Sequence, residues 1–408
     1  MSPRVYIPLS QHLGKSCHPV VKVDDAVKTG DLIATLEAGI FAPVHSSVSG
    51  KVLAVQDCPH PVLGRAKAIV IESDGKDELS THNSRPTTQE AINSLSAKEI
   101  RKIVFDAGIV GMGGASFPTY IKLSPPKPVD TLIVNGAECE PYLTCDYRLM
   151  IEKTKEIMLG IESVAKCLGV KKVFIAIEDN KPEAVKLFED AIRNTHYAVR
   201  VLKSMYPQGG EKQLIKNVLG KEVPSGKLPF DIGVVVHNVG TIFAIYEAVY
   251  LSKPLIERVV TVTGSGIENP KNVLARIGTP IKELIDFCGP QKEKPAKIII
   301  GGPMMGIAQY TDEVPVIKST TGVLLFNQQE AAIYEEEFCI RCGACVRECP
   351  VGLMPCLINL ASEKESWVLT KNYGALDCIE CGICSYVCPA NRRLVQSIKR
   401  AKLEAMKK

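Results

Sequence analysis

Residues 339–350 read Cys339-Ile-Arg-Cys342-Gly-Ala-Cys345-Val-Arg-Glu-Cys349-Pro350, and residues 378–389 read Cys378-Ile-Glu-Cys381-Gly-Ile-Cys384-Ser-Tyr-Val-Cys388-Pro389. Both follow C-x2-C-x2-C-x3-C-P, the spacing of two-cluster iron–sulfur domains. Three thiolates that recur every third residue let one tight loop wrap three irons of a cubane. Gly343 and Gly382 free the backbone mid-loop, where its amides can turn toward sulfur. The fourth cysteine lies too far round to close its own loop and reaches the other cluster. The expected ligand sets are therefore Cys339, Cys342, Cys345 and Cys388 for one [4Fe–4S], and Cys378, Cys381, Cys384 and Cys349 for the second. A zinc site shows thiol pairs separated by a longer gap, which neither run has.

The rest of the chain is organised around this cysteine-rich end. It has 408 residues, 46% of them hydrophobic, enough for several domains. Its 49 basic and 45 acidic residues nearly balance, which argues against nucleic acid as a partner. The start MSPRVYIPLS lacks the charged head and apolar core of a signal peptide. No apolar run approaches the roughly 18 residues of a membrane helix, so the chain is expected to be soluble by itself. Fifteen cysteines in such a chain point to metal rather than disulfides. Of the seven outside the two runs, Cys17, Cys58, Cys167 and Cys288 read as small core residues, and Cys139 as packing.

Four modules are expected: a multidomain α/β and α+β chain. Residues 1–75 are all-β, with strands at Val20–Val23, Leu32–Leu36, Gly50–Val55 and Ile69–Ile71 among Gly, Pro and Asp. This stretch resembles the flattened barrel-sandwich of biotinyl and lipoyl carriers. It lacks their modified lysine, since Ala38-Gly39-Ile40-Phe41 follows Glu37, so it reads as a docking module. Residues 75–97 are a polar linker. Residues 98–250 alternate strands (Thr131–Val134, Val173–Ile177, Val199–Leu202, Ile232–Val236) with helical periodicity, as in an α/β domain with a largely parallel sheet. Residues 255–326 form a small α+β module with strands at Val259–Thr263, Lys297–Ile300 and Val323–Phe326 and a helix near Ile281–Phe287, and they resemble a β-grasp (SLBB-like) domain. Residues 331–408 hold the clusters and end in a basic helix.

The loop Gly111-Met112-Gly113-Gly114-Ala115-Ser116-Phe117-Pro118 leads into Lys122. Glycines let backbone amides approach a phosphate or flat ring, and a lysine adds a point charge. Alone, the loop is weak evidence and reads more readily as a structural turn. Three further polar stretches follow strand candidates: Asn135-Gly-Ala-Glu138-Cys-Glu140-Pro141, Tyr206-Pro-Gln-Gly209-Gly210-Glu211 and His237-Asn238-Val-Gly240-Thr241. Strand ends of this kind are where open α/β sheets bind ligands.

The stretches GMGGASFPTYIKL, LIVNGAECEPYLTCDYRLM, IGVVVHNVGTIFAIYEAV and ERVVTVTG, with the module order, resemble the C subunit of the Rnf ion-translocating electron-transport complex over nearly the full length. The central module is similar to the flavin- and NADH-binding domain of the complex I flavoprotein subunit. The resemblance implies NADH oxidation on FMN. By it, Gly111, Gly113, Gly114, Ala115, Phe117 and Lys122 line the nucleotide and flavin site. Asn135, Glu138 and Glu140 hold the flavin, and Tyr206, Gly209, Gly210, Glu211, Asn238 and Thr241 complete the pocket. It also implies a peripheral place on the cytoplasmic face of a membrane. The implied partners are the other subunits of an Rnf-type complex, NAD(H), and ferredoxin or a ferredoxin-like cluster subunit.

Departures from the pattern are Ser116 for a glycine, Gly210 for an acidic residue, His237 for an asparagine and Gly240 for a glutamate. The family's GG-x-H-P-P-type opening is missing before Ile7-Pro8. Three other readings stay open: a complex I-type flavoprotein, which the twin runs disfavour; a soluble cobalamin reductase built from the same modules; and a non-enzymatic electron-carrying and docking subunit. No histidine is singled out as a catalytic base, because hydride transfer to a flavin depends on positioning.

Overall fold

The computed structural model describes residues 2–80, 89–291 and 294–407. The first module holds seven strands: β1 (Arg4–Pro8), β2 (His18–Pro19), β3 (Ala26–Val27), β4 (Leu32–Thr35), β5 (Val44–His45), β6 (Gly50–His60) and β7 (Gly64–Ser73). They form two antiparallel sheets, ordered β1-β7-β6-β3 and β2-β4-β5. Val5, Ile7, Ile33, Val44, Val52 and Ile71 fill the space between them. The expected strand at Val20–Val23 does not form. The Asp25 carboxylate accepts the Lys22 N–H at 2.7 Å, and Asp24 takes a left-handed φ of 75°, so the chain turns there and leaves Val20 and Val23 about half exposed. β1, an unexpected strand, runs antiparallel to β7 from Arg4–Glu72 to Pro8–Ala68.

The expected linker is partly structured. Thr29 bridges Leu79, and the helix α1 (Gln89–Ser94) precedes α2 (Ala97–Asp106), which a Ser96/Glu99 capping box opens. Residues 81–88 of the linker lie outside the described residues.

After the short α3 (Thr119–Lys122), the central module alternates β8 (Thr131–Gly136), α4 (Cys145–Glu152), α5 (Thr154–Leu168), β9 (Lys172–Glu178), α6 (Pro182–Ala191), β10 (Ala198–Leu202), α7 (Glu211–Leu219), β11 (Val234–Asn238) and α8 (Val239–Leu251). All four strands are parallel, in the order β10-β9-β8-β11. The last strand starts two residues later than expected. Pro229–Ile232 makes a 3-10 turn that Gly233 ends at φ 78°, a conformation open to glycine. One face of the sheet packs on α5 and α8 and the other on α7.

The β-grasp module has β12 (Glu257–Thr263), β13 (Lys271–Arg276), α9 (Ile281–Phe287), β14 (Lys297–Ile300), β15 (Ile307–Gln309) and β16 (Gly322–Phe326). The strand order is β13-β12-β16-β14-β15, with β12 and β16 parallel, and α9 packs through Ile281, Leu284 and Ile285. The last module has α10 (Ala344–Arg347), α11 (Pro355–Glu363), α12 (Trp367–Asn372), α13 (Ile383–Tyr386) and α14 (Leu394–Met406). The two cysteine runs fold alike: Gly343 and Gly382 turn at φ 75° and 87°, and each starts a one-turn helix. No helix among the described residues is long and apolar enough to cross a membrane.

Candidate functional site

The parallel sheet reverses its winding between β8 and β11, because the chain moves outward through β9 and β10 and then returns to β8's other side. The crevice at the carboxyl ends of such a strand pair is where doubly wound sheets bind nucleotides. Asn135 and Asn238 stand there as register partners. Asn135 gives its Nδ2–H to Gly209 O at 2.9 Å and accepts the Ala137 N–H at 3.1 Å. Asn238 caps α8 by accepting the N–H groups of Gly240 and Thr241, and its Nδ2 donates to Asp146 Oδ2 at 2.6 Å.

The glycine loop closes over this point. Its base is pinned by Gly111 N–H to Phe117 O and Thr119 N–H to Ile109 O. The buried Thr241 hydroxyl accepts the Met112 N–H at 2.9 Å, and the buried Arg258 guanidinium donates to Met112 O at 3.3 Å. Gly113 lies so close to Asn238 that a Cβ would sit 2.7 Å from Nδ2, whereas a Cβ on Gly114 would meet nothing. Gly113, Gly114 and Ala115 are exposed, and among the described residues their amides have no hydrogen-bond acceptor. Three free amides beside an open glycine suit a phosphate or the edge of a planar ring. Ser116, the departure in this loop, holds φ 53°, where glycine rests without strain.

Several expected contacts have other partners. Lys122 gives its ammonium to Glu211 Oε1 (2.7 Å) and Val236 O (2.6 Å) instead of leaving it open for phosphate. Glu138, at φ 45°, turns back and accepts the first-turn amides of Asp146 (2.7 Å) and Tyr147 (2.9 Å) on α4. Burial, then the neighbouring Asp146 carboxylate, pushes Glu138 up to about 7. Glu140 accepts the Met304 and Met305 N–H groups of the β-grasp module. Between these two, the Cys139 thiol accepts the Gly209 N–H at 3.2 Å, and burial lifts it to about 11, so it stays protonated. His237, another of the departures, is buried with Nε2 unpartnered, and burial holds it well below its ordinary value, so it is neutral.

The crevice abuts the cysteine module. Tyr206 donates its hydroxyl to Cys381 O at 2.6 Å, Gln213 donates to Pro350 O at 3.1 Å, and Gly210 faces Ile379. A Cβ at position 210 would meet Ile379 at an ordinary contact distance of 3.8 Å and would sit tightest against Pro207 O, at 3.2 Å. One cavity in the cysteine module is lined by Cys349, Cys378, Cys381 and Cys384, and so takes its fourth thiol from the other run. Backbone amides approach two of these sulfurs, Leu353 N to Cys349 Sγ at 3.3 Å and Glu380 N to Cys378 Sγ at 3.4 Å. Cys345 lies beside Cys388 and Cys356, while Cys339 and Cys342 are exposed. Four thiols round one cavity, two of them with a backbone amide directed at sulfur, form a donor set suited to an iron–sulfur cubane.

Four family profiles match successive parts of the chain: RnfC barrel sandwich hybrid domain (residues 1–76), Nuo51 FMN-binding domain (104–247), SLBB domain (259–308) and 4Fe-4S dicluster domain (331–389). The C subunit of the proton-translocating ferredoxin:NAD(+) oxidoreductase complex of Clostridium ljungdahlii is 48% identical, over 98% of this chain and 88% of its own length. The Na(+)-translocating counterpart of Acetobacterium woodii is 46% identical, over 98% and 90%. The C subunit of the ion-translocating oxidoreductase complex of Rhodobacter capsulatus is 44% identical, over 98% and 78%. The chain belongs to the C-subunit family of ion-translocating oxidoreductase complexes. An NAD+-reducing [NiFe]-hydrogenase structure shares the fold, with TM-score 0.52 and 16% identity over 79% of this chain and 67% of the other.

In this member of the C-subunit family, motif reading missed Arg258, Asp146, Met304 and Met305. Arg258 had a signal: a charged residue on a strand of apolar alternation, Glu257–Thr263, whose burial demands partners. The methionines act through their backbone, which no side-chain motif reveals.

Proposed function

We propose that this chain is the NADH-oxidising peripheral subunit of a membrane ion-translocating ferredoxin:NAD+ oxidoreductase complex, on the cytoplasmic side. When bound, FMN would supply the conversion between the two-electron hydride of NADH and the single electrons that a [4Fe–4S] cluster can take. In this reading the free amides of Gly113, Gly114 and Ala115 receive the flavin nucleotide, and Asn135 and Asn238 fix the crevice beneath it. Arg258 and Thr241 hold the loop in register. The single observation that carries the reading is the Tyr206 hydroxyl on Cys381 O, because one residue of the crevice touches the backbone of a thiol-bearing loop. The Cys378, Cys381, Cys384 and Cys349 set would therefore receive electrons first, and the Cys339, Cys342, Cys345 and Cys388 set second. Around the second set, Phe338 (94% exposed), Tyr386 (80%) and Ile340 (67%) leave an apolar face beside two exposed thiols. A ferredoxin or ferredoxin-like cluster subunit of the same complex would dock there.

The test is anaerobic reconstitution with iron, sulfide and FMN. NADH should then reduce ferricyanide or viologen, and omission of FMN should abolish this. A protein that loads flavin and clusters yet shows no NADH-dependent reduction would refute the enzymatic reading.

A further inference from the structure

The family resemblance implies that Glu140 holds the flavin, yet its carboxylate points elsewhere. We propose that Glu140 is a positioning residue that locks the loop after β8 to the cysteine loop carrying Cys381 and Cys384, through the Gly301–Gly306 turn of the β-grasp module. The proposal deepens the functional reading above and rests on it for the identity of the two ends.

The turn is shaped around the carboxylate. Met304 N–H donates to Glu140 Oε2 at 3.0 Å and Met305 N–H to Oε1 at 2.8 Å, one amide for each oxygen. Only a carboxylate offers two equivalent acceptors on one planar group, and bonds to it are the stronger, charge-assisted kind. Gly302 makes the approach possible: a Cβ there would stand 2.2 Å from Oε2. A Cβ on Gly306 would likewise stand 2.2 Å from Gly302 O, so the turn closes tightly on itself.

The opposite side of the turn presses on the cysteine loop. Gly382, between Cys381 and Cys384, turns at φ 87°, and a Cβ on it would come within 2.8 Å of Met304 O. The same amino acid, Met304, therefore gives its N–H to the crevice loop and its carbonyl to the thiol loop. Tyr206 on Cys381 O provides a second strut nearby. Two struts from different segments fix a distance and an angle, whereas one fixes a distance alone. Glutamine at 140 keeps one acceptor and turns an NH2 donor toward an amide donor, so it breaks half of the grip and opposes the other half.

The experiment compares holoprotein with Glu140→Gln and with Gly302→Ala, which displaces the carboxylate from the other module. Hydrogen exchange is followed in peptides covering 302–306 and 379–384. Stopped-flow absorbance then gives the rate of cluster reduction relative to flavin reduction by NADH. Both variants should raise exchange in both segments and lower that ratio severalfold, because electron transfer between fixed centres falls steeply as their separation grows. Faster exchange at 302–306 with 379–384 unchanged would overturn the proposal, as would an unaltered ratio. The exchange measurement needs no turnover, so a failure of the NADH reading leaves it fully informative.

Discussion

Arg258→Met is expected to be among the most damaging single changes in the molecule. The side chain comes from β12 and is 4% exposed. Its guanidinium donates to Lys318 O at 2.6 Å and to Met112 O at 3.3 Å, and it lies beside Cys145 and Asp146. The thiol of Cys145 and carboxylate oxygens of Asp146 and Glu138 lie within 4.8 Å of one another, so the guanidinium is the counter-charge of a buried acidic group. Removal of one partner from a buried charge network costs about 3–5 kcal/mol, mostly through the charge left behind. Methionine fills much of the volume, so the loss reports charge and hydrogen bonds more than a cavity. Lysine at this position has no fork to serve two carbonyls and should recover only part. The measurement is anaerobic urea unfolding of Arg258→Met, Asp146→Asn and the double variant, with FMN affinity alongside. The double variant should fall short of the sum of the singles by about 1–3 kcal/mol, because the neutral amide introduced by Asp146→Asn no longer needs the cation. FMN affinity should drop with Arg258→Met, since Met112 loses one of its two anchors. Strict additivity, or an unchanged unfolding midpoint in the single variant, would refute the pairing.

Glu138 binds its proton more tightly in the folded chain, being raised from 4.5 to about 7. Its stabilising contribution is thus complete at low pH and is lost as pH rises from the ordinary carboxylate range to about 7. Glu138→Gln should flatten the stability profile over that interval, and an unchanged slope would place the proton elsewhere. His12 and His45 titrate in the opposite sense. Burial, then Lys318, lowers them from 6.5 to about 4 and about 3, so the stability they confer is present above 6.5 and is lost as pH falls. Hydrogen exchange in residues 10–17 and 42–48 should accelerate as pH drops below about 6.5, beyond the intrinsic pH dependence of exchange. Cys349→Ala and Cys388→Ala should each halve iron content, from about eight to about four per chain. The electron paramagnetic resonance signal that survives Cys349→Ala should be the one missing in Cys388→Ala. Loss of the same signal in both would mean that the ligand sets are not crossed.

The cysteine module and the parallel sheet were legible because their signals are local. Thiolate spacing is set by the cubane that the loop must wrap, and runs such as Thr131–Val134 or Val173–Ile177 are apolar because both faces of the sheet are covered. The misreadings came where a short polar feature overrides an apolar run. Asp25 closes a turn over Val20–Val23, and Gly233 delays β11. The crevice residues were legible as types and places but not as directions. The stretch Asn135-Gly-Ala-Glu138-Cys139-Glu140 names polar groups, yet the left-handed φ at Glu138 decides where they point, and nothing in the residue order announces it.

That loop also explains why the β-grasp module stands between the other two in the chain. Its three polar side chains diverge: Glu138 toward α4, Cys139 toward Gly209, and Glu140 toward Met304 and Met305. Of the three, Glu140 meets β-grasp atoms directly, in the 301–306 turn, and Asp146, the neighbour of Glu138, lies beside Arg258 of β12. Without the β-grasp module Glu138 would keep the α4 amides, but Glu140 would lose both of its amide donors and Asp146 its guanidinium neighbour. Desolvation of either carboxylate without those partners would cost several kcal/mol. The closed crevice therefore requires the β-grasp module docked, and the docked module in turn carries the Met304 carbonyl to Gly382. Assembly of the nucleotide crevice and placement of the nearer thiol set are one event, so variants that undock the β-grasp module should lose flavin and spacing together, while variants confined to Gly114 should lose flavin alone.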